Sequence, residues 1–202
     1  VKGFDEGFEL ELESGDVLRT KTLVNATGAW ANSVLSLFGE SLDLTYNQGT
    51  IAVQDSLSQR GLQLLEKPGD GQAYIVNNGM AWLGTNSTVI SHPSEARPEE
   101  DAEELLKSLL GRIIPGVKGL SVERMFTGAR PLYGGSRLAG SARSVSRDFQ
   151  IVENPERVYT VVGGKMTTAR LMAEKTSDLI AQRLGNVAEC ITDKVNLPEV
   201  KL

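Results

Sequence analysis

Arg130, Arg147 and Lys165 are the side chains whose type and setting point to chemistry in this sequence. Arg130 stands directly before Pro131, and the proline ring restricts the backbone in front of it to extended conformations, so the guanidinium is aimed from a stiff base. Arg147, in "SVSRDF", opens a further strand pattern. A planar guanidinium offers paired hydrogen bonds to a phosphate or carboxylate, which is what an anion clamp requires. Each arginine alone reads as half of a surface ion pair, Arg147 with Asp148 for instance. Together with Lys165 they point to an anion pocket.

Lys165 lies in "VVGGKMTTARLMAEK", a buried-strand pattern that turns on Gly163 and Gly164 and then starts a helix. A helix amino terminus already carries partial positive charge, so a lysine there costs about 0.3 to 1 kcal/mol if it serves stability alone. A negative ligand removes the conflict. The glycines lack side chains, so a ligand above the strand end can approach the backbone and meet the N–H groups of the first helical turn. Lys165 reaching into water is the alternative. A similar junction lies at "NATGAW", where Ala26, Thr27 and Gly28 link a strand to a short helix from about Ala29; a plain turn is the alternative there.

The elements that must position these residues follow from period and punctuation. Phe8, Leu10 and Leu12 alternate, Ser14-Gly15-Asp16 turns the chain, and a second strand runs to Ala26. "TYNQGTIAVQD" reads as a strand interrupted at Gly49, and residues 72–90 as a hairpin around Asn77-Asn78-Gly79. "RPEEDAEELLKSLLGRIIPG" reads as a helix with Pro98 at its first position, a solvated acidic face, and an end at Gly111 or Pro115. A strand from Glu123 to about Ala129 leads to Arg130, and two strands flank Asn154-Pro155. The last helix places Ala169, Met172, Ala173, Thr176 and Ile180 on one face and stops near Leu184-Gly185-Asn186.

Composition narrows the function classes. The 202 residues are 40% hydrophobic and 23% charged with net charge -5, as in a globular chain of one or two domains. An acidic balance with 5% aromatics supplies no basic stripe or stacking platform, so no nucleic-acid partner is expected. No apolar run approaches the roughly 20 residues that a bilayer requires, so no direct membrane span is expected. Cys190 is the single cysteine and His92 the single histidine, so neither a metal site nor a histidine-based triad is expected. Both read as structural or solvated, Trp30 and Trp82 read as core, and Thr167 and Thr168 read equally as helix caps.

"LVNATGAW", "YNQGTIAV", "LGTNSTV", "FTGARPL", "SRDFQI" and "VVGGKMTTARLMAEKTSDLIAQRLG", in this order, resemble flavin-dependent glycerol-3-phosphate dehydrogenases. The last segment looks most like the large subunit of the anaerobic type. "GARPL" alone is weakly specific, "GGKMTTARLMAEK" is fairly specific, and the ordered set covers nearly the whole chain. These enzymes belong to the wider group of amino-acid-oxidase-like flavoproteins. The resemblance implies an α/β fold with α+β character: an antiparallel or mixed-sheet substrate domain at 45–148, and parts of a discontinuous FAD-binding domain at 1–44 and 149–202. It implies FAD as cofactor, lying against Ala26, Thr27, Gly28, Gly163, Gly164, Met166, Thr167 and Thr168. Arg130 and Arg147 become the substrate's phosphate clamp, and Lys165 a catalytic residue that also touches substrate. The implied reaction oxidises glycerol 3-phosphate to dihydroxyacetone phosphate with hydride transfer to FAD. Aerobic-type members carry a histidine near the position of Ile51, so no histidine serves as base there.

No G-x-G-x-x-G follows a strand in these residues, and the chain opens at Val1 straight into a hairpin. The expectation is a fragment of a longer flavin dehydrogenase, inactive and largely flavin-free by itself. Its expected partners are glycerol 3-phosphate or a similar anionic small molecule, and an electron acceptor or partner subunits. Its expected location is cytoplasmic, or at a membrane through such subunits. Two other readings stay open: an FAD-dependent oxidase of 2-hydroxy or amino acids in which one arginine holds a carboxylate, and a non-catalytic anion-binding module.

Overall fold

The computed structural model describes residues 2–4, 7–67, 70–134, 148–186 and 188–196. The chain divides into two compact units, Val1–Leu42 with Arg147–Leu202, and Asp43–Ser146. Arg147 itself lies outside the described residues.

In the first unit, β1 (Lys2–Phe4), β2 (Gly7–Glu11) and β3 (Val17–Thr20) form an antiparallel sheet. The strand expected to continue to Ala26 breaks after Thr20, whose hydroxyl donates to the Thr22 carbonyl at 2.7 Å. β4 (Leu23–Asn25) then joins another sheet, parallel to β12 (Val158–Val162), which is antiparallel to β11 (Gln150–Glu153). β12 is buried at every position and is the middle strand, as its β-branched and aromatic run favours. A 3-10 turn, Gly28–Trp30, leads into α1 (Ala31–Leu35), and Leu35 packs with Phe8 and Val158. α3 (Ala169–Arg183) ends where Gly185 takes φ 75° and the Asn186 amide donates to the Ala181 carbonyl at 2.8 Å, a glycine-terminated C-cap. Of its expected inner face only Thr176 is buried, and Ala169 and Ala173 are exposed, because alanine offers too little apolar area to turn a helix face inward.

In the second unit, β5 (Leu44–Asp55), β6 (Leu62–Lys67), β7 (Asp70–Asn77), β8 (Met80–Gly84), β9 (Thr88–Ile90) and β10 (Val122–Tyr133) form one six-stranded antiparallel sheet. The order is β10-β5-β8-β7-β6, with β9 also on β5. β7 and β8 join through Asn78 (φ 50°) and Gly79 (φ 78°), both left-handed as a two-residue hairpin turn demands. β5 is not interrupted at Gly49, which pairs with Gly128. β10 runs past Ala129 through Arg130 and Pro131 to Tyr133, and it tolerates the proline because it is an edge strand. Arg130 therefore sits inside a strand, opposite Asn47, rather than at a strand end.

α2 (Ala102–Leu110) covers one face of this sheet, packing Leu106 and Leu110 with Ala52, Tyr74, Ala81, Leu83 and Val117. It starts at Ala102 with Asp101 as N-cap, later than Pro98, because Glu99 is drawn away into hydrogen bonds with Gln48 of β5 and Asn86 of the loop between β8 and β9. Leu106 is fully buried, so Leu106→Ala is expected to lower stability by about 2–5 kcal/mol. Urea unfolding of the chain checks this; an unchanged midpoint would mean that α2 is not seated on the sheet.

Candidate functional site

The face of the second unit's sheet away from α2 holds Arg130. Strand alternation puts Asn47, Gly49, Ile51 and Val53 of β5 on the face away from α2, and antiparallel pairing brings Arg130 opposite Asn47. The guanidinium donates from Nη1 to Asn47 Oδ1 at 3.1 Å and from Nη2 to Thr85 Oγ1 at 2.9 Å. Both of these acceptors are neutral, and the two bonds fix the guanidinium's orientation on the sheet. Gly49 makes this possible: a Cβ there would stand 1.9 Å from Arg130 Nη2 and 2.6 Å from Thr85 Oγ1. Local pattern makes Gly49 a break in the strand and gives no sign that the guanidinium lies across it.

Asn47 shows how fully the pair is oriented. Arginine can only donate, so Asn47 must turn Oδ1 toward it, and Ser87 Oγ donates to the same oxygen at 3.0 Å. Among the described residues the Asn47 Nδ2 group is then buried without a hydrogen-bond partner. An unmade buried donor costs about 1–3 kcal/mol, which an acceptor oxygen brought to this place would recover.

On the opposite face lies a polar network built on Glu99. Its carboxylate accepts from Gln48 Nε2 at 2.7 Å, Asn86 Nδ2 at 2.8 Å and Thr50 Oγ1 at 3.3 Å. Burial alone would raise the carboxyl, but hydrogen bonds from Gln48, Thr88 and Asn86 outweigh it and hold the group at about 2. The stability it contributes is therefore present above the usual carboxylate value of 4.5 and is lost only as pH falls toward 2. This residue was expected on a solvated acidic face; nothing local in the sequence reveals its contacts, which come from positions far along the chain.

In the first unit, parallel pairing aligns Asn25 of β4 with Thr160 of β12, so Ala26-Thr27-Gly28 and Gly163-Gly164 leave neighbouring strands at the same edge. Ligands of α/β sheets bind at such carboxyl ends. Asn25 is buried and ties the edge together, donating to the Ala31 carbonyl at 3.0 Å and accepting from Thr27 Oγ1 at 2.6 Å. Gly163 and Gly164 take φ 77° and 75°; a Cβ would meet the Asp148 carbonyl at 2.6 Å and Met172 Sδ at 2.5 Å respectively. Only glycine fits either place. Lys165 follows as N-cap of the 3-10 turn Met166–Thr168 that runs into α3. Its amide donates to Thr168 Oγ1 at 3.0 Å and its carbonyl accepts the Thr168 amide at 2.9 Å, so its backbone is held while its side chain is exposed. Thr168 is thus the residue that bonds back to the cap. Among the described residues no partner is found for the amides of Met166 and Thr167, and Met166 is 91% exposed.

The remaining candidates settle into structural places. His92 caps the 3-10 turn Pro93–Glu95, with Nδ1 2.7 Å from Ser94 Oγ, and its ring edges against Tyr46. Cys190 Sγ lies 3.1 Å from Thr192 Oγ1. The two tryptophans are not core. Trp30 is 46% exposed, and Trp82 is half-buried and stacks on the exposed Phe126 at 5.6 Å, on the face of the sheet that α2 does not cover. Among the described residues no group of three or more His, Cys, Asp or Glu could hold a metal ion, and no helix is long and apolar enough to cross a membrane.

A glycine-lined edge at the carboxyl ends of parallel strands, with open first-turn amides, suits an anionic or electron-rich ligand. The family model of FAD dependent oxidoreductases matches residues 1–179. The chain belongs to this family. Among its relatives are proteins named as subunits of anaerobic glycerol-3-phosphate dehydrogenases: one from Haloferax volcanii, 30% identical over 196 residues, and one from Escherichia coli, 28% identical over 189 residues. The matches cover 92% and 90% of this chain but 33% and 35% of those proteins, so the chain spans about a third of their length. Among solved structures, the glycerol-3-phosphate dehydrogenase from Bacillus halodurans complexed with FAD matches with TM-score 0.68 and 21% identity, covering 87% of this chain and 34% of that one. Glycine oxidase from Geobacillus kaustophilus matches with TM-score 0.67 and 18% identity, covering 97% and 50%. These structures establish the fold: α/β, with antiparallel and mixed sheets, as FAD dependent oxidoreductases have.

Gly49→Ala is the sharpest probe of the Arg130 arrangement, since it forces the guanidinium off Asn47 and Thr85 while leaving strand pairing intact. A crystal structure of this variant is expected to show Arg130 in a new rotamer on an unchanged sheet. Arg130 retained on Thr85 would contradict the close approach.

Proposed function

We propose that this chain carries the substrate-binding sheet and part of the cofactor-binding unit of an FAD-dependent glycerol-3-phosphate dehydrogenase of the anaerobic type. The observation that carries the reading is Arg130, a half-buried arginine oriented across Gly49 by Asn47 and Thr85, in a chain whose relatives bear that name. The unit Asp43–Ser146 is the substrate domain in this reading, and Val1–Leu42 with Arg147–Leu202 belongs to the FAD-binding domain.

When bound, FAD supplies the hydride acceptor for oxidation of the C2 alcohol of glycerol 3-phosphate to the ketone of dihydroxyacetone phosphate. Arg130 holds the substrate's phosphate, each charge-assisted contact contributing about 1.5–3 kcal/mol, and Arg147 completes the clamp. The Asn47 amide group donates to an oxygen brought to Arg130. Ala26, Thr27, Gly28, Gly163 and Gly164 let the cofactor lie close to the backbone. The amides of Met166 and Thr167, with Lys165, stabilise negative charge that develops during the reaction, a fixed electrostatic device that needs no rearrangement; the Thr168 amide is already bonded to the Lys165 carbonyl. Lys165 also touches substrate. This answers why a lysine caps a helix amino terminus, where it would otherwise be unfavourable. Both anaerobic relatives are named as subunits, and partner subunits that take up the electrons belong to the same proposal.

In the full-length protein that contains this chain, Arg130→Ala is expected to lower kcat/KM for glycerol 3-phosphate about tenfold or more while bound flavin stays. Loss of about 1.4 kcal/mol of transition-state binding already gives that factor. Steady-state kinetics and the visible spectrum check it, and an unchanged kcat/KM would remove Arg130 from the site.

A further inference from the structure

Glu99 is a charged, half-buried group that the proposed chemistry does not use. Its surroundings mirror those of Arg130. The partners of Arg130 include Asn47 and Thr85; the partners of Glu99 include Gln48 and Asn86, the next residue in each case. Along β5, neighbouring residues face opposite sides of the sheet, so Asn47 turns to the guanidinium and Gln48 to the carboxylate. We propose that Glu99 is a positioning residue for Arg130, holding from the far side of the sheet the two dipeptides, Asn47-Gln48 and Thr85-Asn86, that grip the guanidinium. This rests on the reading of Arg130 as a substrate-binding residue.

The hydrogen-bond polarity requires a carboxylate at this position. Asn86 Oδ1 accepts from the Thr50 backbone amide at 2.6 Å, and Gln48 Oε1 accepts from the Arg97 backbone amide at 3.2 Å. A backbone amide can only donate, so neither side-chain amide can flip, and both present NH2 groups to residue 99. Two fixed donors need two acceptor oxygens. Glutamine at 99 offers one, and its own NH2 group then opposes a neighbour that cannot turn. The third link reaches β10 itself: Thr50 Oγ1 lies 2.8 Å from Thr127 Oγ1, three residues before Arg130 on the same strand. The Thr85-Asn86-Ser87 segment completes the relay, since Thr85 Oγ1 accepts from Arg130 and Ser87 Oγ donates to Asn47.

A double-mutant cycle in the full-length protein, read as KM and kcat for glycerol 3-phosphate, separates positioning from a merely structural role. Glu99→Gln is expected to raise KM about tenfold with kcat within about twofold, and to add nothing further in the Arg130→Ala background. A KM increase of the same factor in both backgrounds, or no increase in the first, overturns the proposal. If Arg130→Ala lowers kcat/KM and Glu99→Gln leaves KM unchanged, this proposal falls alone; if Arg130→Ala leaves kcat/KM unchanged, the substrate reading of Arg130 falls and takes the proposal with it. Should Glu99→Gln fail to fold, Gln48→Leu removes one of the links while leaving the carboxylate its Asn86 bond, and carries the same expectation and the same contradiction.

Discussion

The hydrogen bonds that hold Arg130 to Asn47 and Thr85 are the constraint on which the second unit turns. An arginine lying flat on a sheet needs a strand neighbour without a side chain, and Gly49 supplies it. It needs acceptors within reach, and the Asn47 amide oxygen and the Thr85 hydroxyl supply two. It also needs a strand that stays straight through the following proline, which only an edge strand permits. The pairing of β10 with β5, unbroken from Arg124 opposite Val53 to Tyr133 opposite Leu44, is what brings these requirements together.

The first unit solves a different problem with the same economy of side chains. Two parallel strands end side by side, and both exits are made of small residues. Gly163 and Gly164 are fixed as glycine twice over, by positive φ and by the atoms a Cβ would strike. Lys165 is held by its backbone to Thr168, and its side chain is exposed at the helix start. In a family that works on FAD, an edge of this kind is suited to a cofactor that becomes more negative as the reaction proceeds.

How much of this was legible in the sequence depends on the range of the signal. The Asn78-Gly79 turn, the strands on either side of Asn154-Pro155 and the glycine stop of α3 are local, and period and turn chemistry reveal them. The single strand expected to run to Ala26 divides between two sheets because β4 pairs with a strand 135 residues further along the chain, Asn25 meeting Thr160, which no local pattern encodes. Gly49 resembles a break for the same reason: its meaning lies in Arg130, across the sheet. Glu99 is the clearest case. In sequence it is one of several acids ahead of a helix, and only the strand residues that reach it show that it is drawn into the sheet's hydrogen bonds. Arg130 was legible as an anion-binding candidate from its residue type and its proline, whereas Asn47 and Thr85, which orient it, carry no signal of their own.

The most direct measurement is an anaerobic visible spectrum of the full-length protein, before and after addition of glycerol 3-phosphate. The account predicts a yellow protein whose flavin absorbance bleaches on addition of the substrate. A protein that stays fully oxidised with glycerol 3-phosphate, or one that remains colourless when supplied with FAD, would contradict it.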